Sequence, residues 1–101
     1  MYINYTIGDP MKMTQVVYNE IHNVLLKKLY KLGCWGKGHV SESNLPKGFP
    51  PHLRGFVLDV AYELRKQQLL VMRPSGHDRQ WYLNFAKRVE TETSIQNEVK
   101  P

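Results

Sequence analysis

Seven of the thirteen glycines and prolines in the chain fall between residues 33 and 51, at Gly33, Gly36, Gly38, Pro46, Gly48, Pro50 and Pro51. In a helix interior glycine costs about 1 kcal/mol and proline about 3 relative to alanine, so this stretch holds one helical turn at most. The chain is therefore divided into a regular segment before the stretch and another after it. With 101 residues in all, the two must share one domain and one modest core.

The first segment, residues 14–32, has a helical period. Thr14 is its N-cap, Gly33 supplies the left-handed stop, and Lys27, Lys28 and Lys31 suit the negative end of the dipole. Val17, Ile21, Val24, Leu25 and Leu32 share one side with Leu29 at its edge, and Lys28 lies within that stripe, which obliges it to snorkel. Leu26 and Tyr30 point the other way, four residues apart, and form a candidate homodimer contact or a seat for the N-terminal arm, residues 1–13. Within the broken stretch, Ser41 caps a single turn ending near Leu45.

The second segment is a helix over residues 51–68 that starts on its prolines. Leu53, Val57, Val60 and Leu64 make its core side, flanked by Phe56. Gly55, Asp59, Tyr62 and Lys66 face away, with Arg54, Leu58 and Arg65 along one margin and His52 along the other. The period then changes to two. Residues 69–73 read as a strand, 74–78 as a turn and 79–85 as the return strand, with Trp81, Leu83 and Phe85 on its dry face. Residues 87–101 are polar and read as a mobile tail, or a weak helix at best.

The net charge is +5, and it is unevenly placed. Residues 47–88 hold eight basic and three acidic side chains, whereas the last thirteen residues hold three glutamates and one lysine. A polyanionic partner fits that distribution better than an anionic small molecule. No apolar run is long enough for a membrane span. The first residues lack the basic and apolar regions of a signal peptide, and the single cysteine, Cys34, suits a reducing cytoplasmic location.

Catalytic signals are missing. There is no glycine-rich phosphate loop, no paired-histidine metalloprotease motif and no nucleophile elbow, so the chain reads as a non-enzyme. Asp59 and Glu63 read as solvated charges near Lys66. Cys34, His39, His52 and His77 match no structural zinc spacing, and neither metal nor cofactor is expected.

Long helix, broken turn, second helix and β-hairpin make an α+β chain with the element order of a winged helix-turn-helix domain, here over residues 14–86. The runs Trp35-Gly36-Lys37-Gly38-His39-Val40-Ser41, Asn44-Leu45-Pro46-Lys47-Gly48-Phe49-Pro50, Arg73-Pro74-Ser75-Gly76 and Tyr82-Leu83-Asn84 resemble a group of small archaeal-type winged helix-turn-helix proteins. The resemblance implies duplex DNA binding and transcription regulation, with the second helix reading the groove and the hairpin as wing. The chain departs from that pattern at residues 41–49, where one turn replaces the first helix of the motif.

The chemistry of particular residues gives that expectation an address. Arg54 suits a bidentate pair with guanine, His52 a base edge or phosphate, and Lys47 the backbone just before the helix. Arg73 and Arg79 bracket Ser75 and His77, so two guanidiniums and a histidine are expected to converge at the wing tip. Asp59, in the reading face, opposes phosphate. That aspartate, together with outward Leu26, Tyr30, Leu58 and Tyr62, motivates an alternative, a protein-protein interaction module without specific DNA binding; RNA is a third partner class.

Overall fold

The computed structural model describes residues 13–98. The expected N-terminal arm lies outside the described residues apart from Met13, which is buried. Helix α1 (Gln15–Lys31) starts where Thr14 Oγ1 accepts from the Val17 amide at 3.1 Å, and it stops at Gly33, whose φ is 69°. The buried side of α1 is shifted from the sequence stripe toward Leu26. Tyr18, Ile21, Leu25, Leu26 and Leu29 are buried, while Val24 and Leu32 stand 40% and 59% exposed.

The reason is a third helix. Residues expected to be a mobile tail, or a weak helix at best, form α3 (Arg88–Glu98), which packs against α1. Thr91 is fully buried there, Ile95 packs on the core, and the Tyr30 hydroxyl donates to Glu92 Oε2 at 2.8 Å. α1 is thus covered by helix α2 (Pro51–Lys66) and the sheet, and also by α3. Leu26 has no exposed surface, so the expected homodimer contact through Leu26 and Tyr30 does not exist as a free face. Their apolar pairing serves the interior of the same chain.

Lys28 does more than snorkel. Its ammonium donates to the carbonyls of Asn44, Leu45 and Lys47 at 3.0, 3.1 and 2.9 Å, matching its three protons to three acceptors. These bonds close the 3-10 turn Glu42–Asn44 onto α1. Burial holds the Lys28 pKa below its usual value. Lys28→Met should lower stability by about 1–3 kcal/mol with an unchanged denaturant slope, as read from a urea melt.

The connector after α1 is drawn in by backbone contacts. A Cβ at Gly38 would lie 2.9 Å from the Gly33 carbonyl oxygen, a separation no side-chain-bearing residue tolerates. Beyond it, Val40–Ser41 forms the short strand β1, in a stretch whose sequence reads as connector. β1 pairs antiparallel with β3 (Gln80–Leu83), and β3 pairs antiparallel with β2 (Leu70–Arg73), giving the sheet order β1-β3-β2. Val40 stands opposite Trp81, and Met72 opposite Trp81 from the other side.

Alternation decides which residues meet the helices. Trp81 and Leu83 have no exposed surface, and the Tyr62 ring of α2 meets Trp81 edge-on at 5.1 Å. Val71, Arg73, Gln80 and Tyr82 share the outer face. Phe85, expected on the dry face, is 63% exposed. β3 ends at Leu83, and Asn84 then caps the 3-10 turn Phe85–Lys87, so the two-residue period stops before Phe85. The result is an α+β fold of three helices and a small three-stranded antiparallel sheet, compatible with a winged-helix layout. No helix among the described residues is long and apolar enough to cross a membrane.

Candidate nucleic-acid interface

α2 begins at Pro51, a residue that needs no amide partner in the first turn. His52, Arg54, Gly55 and Asp59 are exposed along it. Arg54 is partly anchored, since its Nε donates to the Phe49 carbonyl at 2.8 Å. A Cβ at Gly55 would meet nothing within 4 Å, so packing does not account for the glycine. It leaves bare backbone on the outward side of α2. Lys47 is exposed just before the helix, while its carbonyl holds Lys28.

A groove of ≈ 760 Å³ separates the C-terminal half of α2 from the hairpin. Tyr62 and Arg65 line it from the helix, and Met72, Ser75, His77 and Arg79 line it from the hairpin. Glu42 and Asp78 also face it, but both are occupied. Asp78 Oδ2 accepts from the Ser43 hydroxyl at 2.7 Å and from its amide at 3.3 Å, and Oδ1 accepts from the Arg79 amide at 2.9 Å. The Ser43 hydroxyl, foremost among these donors, holds the Asp78 carboxyl below the usual carboxylate range. The Ser75 hydroxyl donates to the Asp78 carbonyl and folds the tip.

Glu42 is the second tie between the hairpin and the turn before α2. Its Oε1 accepts from Arg79 Nε at 3.0 Å and from the Trp81 indole N–H at 3.0 Å, while its backbone amide donates to the Arg79 carbonyl at 2.7 Å. Arg79 Nε also donates to the Tyr62 hydroxyl at 3.2 Å. The hydroxyl and the Glu42 carboxylate together reinforce the charged state of the guanidinium. Arg79 is thus oriented into the groove with its Nε committed to the protein.

The expected convergence of Arg73 and Arg79 does not occur. Arg73 stands opposite Gln80 in the sheet register, so the preceding residue, Arg79, leaves the strand on the other face. Arg73 donates from Nε and Nη2 to Gln80 Oε1 at 3.1 and 3.0 Å, and its Cζ lies 5.2 Å from the Tyr82 ring centroid. Of the seven expected residues, Ser75, His77 and Arg79 line the groove. His52, Arg54 and Lys47 are exposed at and before the start of α2, and Arg73 belongs to the outer face. Arg65 joins the groove although the helical wheel marks it only as a margin residue; its position close beyond Tyr62 was the available signal.

The residues invoked for a protein-partner face are largely spent on packing. Leu58 packs against the core, and Tyr62 is held by Trp81 and Arg79. Cys34 is buried, which pushes its thiol pKa up. Among the described residues no group of three or more His, Cys, Asp or Glu side chains could hold a metal ion. The chain matches no protein-family model, no curated protein and no solved structure.

Proposed function

We propose that the chain is a winged-helix protein that binds duplex DNA, with α2 toward the major groove and the β2–β3 hairpin as wing. The observation that carries this reading is the open groove between α2 and the hairpin, lined by Arg65, His77 and Arg79, with its two carboxylates already bonded within the protein. The bare backbone at Gly55, flanked by exposed His52 and Arg54, supports close approach of a duplex to the helix. Asp59 is exposed on the same helix and restricts what it can face: a cytosine amino group suits it, a phosphate does not. Lys47 is a backbone contact of the positioning kind. A role in transcription regulation is part of the same proposal.

The test is anisotropy of a labelled random duplex across a salt series. Log affinity should fall by about 0.9 per log unit of salt for each phosphate neutralised. Arg65→Ala should weaken binding to all sequences and reduce that slope by about 1, whereas Arg54→Gln should relax preference at one base position. Absence of binding at ~50 mM salt overturns the proposal.

A further inference from the structure

The outer face of the hairpin carries a second surface that the groove does not use. The connector after α1 runs beside β3, where the Leu83 amide donates to the Cys34 carbonyl at 2.8 Å. That bond sets Trp35 against Phe85, with ring centroids 5.7 Å apart and planes at 85°. It also brings Gly36 alongside Tyr82, close enough that a Cβ there would lie 3.9 Å from the ring. Two guanidiniums complete the surface. Arg73 lies over Tyr82 and Arg88 over Phe85, each with Cζ 5.2 Å from the ring centroid. Lys37 is exposed on the same connector.

Phe85 is 63% exposed and does not belong to the buried core. A ring that stays in solvent beside cations is suited to a ligand with flat π-faces and negative charge. The bases of a duplex keep their faces stacked on one another, so a double strand offers such a surface only phosphates. A second copy of the chain fits poorly, since a two-fold contact would press this cationic face, with Arg73, Arg88 and Lys37, against the same cationic face of the other copy. Unpaired bases on a phosphate backbone meet both requirements. We propose that this face binds single-stranded nucleic acid, with bases stacking on Phe85 and on the Arg73–Tyr82 pair, while Arg88 and Lys37 take phosphates.

The proposal does not depend on duplex binding at α2, and its test keeps the two apart. The full chain is titrated with labelled oligo-dT and oligo-rU of about 15 nucleotides, and with a random duplex. At least one single strand should bind and quench tryptophan emission through Trp35, because Trp81 has no exposed surface. The dT and rU arms tell DNA from RNA. Phe85→Ala should lower single-strand affinity about tenfold and leave duplex affinity unchanged, and Phe85→Trp should restore it. Arg54→Gln should leave single-strand affinity unchanged. Lys37→Glu, on an exposed loop, repeats the test without touching a ring.

Three results would overturn the proposal. One is failure of both single strands to bind at ~50 mM salt. Another is an equal loss of duplex and single-strand affinity in Phe85→Ala with an unchanged melting midpoint. The third is Phe85-dependent self-association in sedimentation in place of oligonucleotide binding.

Discussion

Trp81→Ala should remove about 3–5 kcal/mol of stability, a large part of the 5–15 kcal/mol that a domain normally has. Trp81 is among the largest side chains with no exposed surface. It stands at the centre of the sheet, opposite Val40 of β1 and Met72 of β2, and meets Tyr62 of α2 edge-on. Truncation therefore opens a cavity where three strands and a helix meet, and neighbours held by backbone pairing cannot collapse to fill it. The indole N–H also leaves Glu42. A urea melt followed by circular dichroism checks the loss. Trp81→Phe keeps most of the buried ring and removes the donor, so it should cost clearly less. A loss below about 1 kcal/mol for the alanine variant would mean that the sheet is not packed around this ring.

Glu42→Ala should cost about 1–3 kcal/mol and loosen the hairpin from the turn before α2. One oxygen of Glu42 accepts from both Arg79 and Trp81, and its side chain is 14% exposed. The two donors fare differently once the carboxylate is gone. Arg79 is 50% exposed and can return to water, so its share of the loss is small. The Trp81 N–H is buried with its ring and has no such recourse. Glu42→Gln keeps an acceptor for the indole and should recover most of the stability. Amide exchange at Gln80 and Trp81 is the local measurement, and protection there should fall in the alanine variant before global unfolding.

These two residues also mark the limit of sequence reading. The long helices and the hairpin were legible because period 3.6 and period 2 are written in Leu53, Val57, Val60 and Leu64, and in Trp81 and Leu83. Thr14 and Gly33 announced the ends of α1. β1 was not legible, since two residues carry no period and only pairing with β3 makes Val40 and Ser41 a strand. α3 was read as a weak helix at best because its composition is polar, yet buried Thr91, Ile95 and the Glu92 bond to Tyr30 seat it on the rest of the chain. The missing clue was Leu26 and Tyr30, an apolar pair that required a cover. Glu42 lies 37 and 39 residues from its two partners, a distance no local pattern spans. The expected convergence of Arg73 and Arg79 failed for a simpler reason: parity places them on opposite faces once Arg73 is known to stand opposite Gln80, and only Arg79 lines the groove.

The tie between Asp78 and Ser43 also governs how the hairpin can vary in length. Residues 74–77 precede the tie, and extra residues there lengthen the tip without shifting β3. Between Asp78 and Trp81 there is no such latitude. One residue inserted ahead of Gln80 would turn Trp81 to the outside and send Gln80 into the core, exchanging the two faces of β3 at a stroke. Change in this wing is thereby channelled to its outermost residues, and the strand behind them keeps a fixed count.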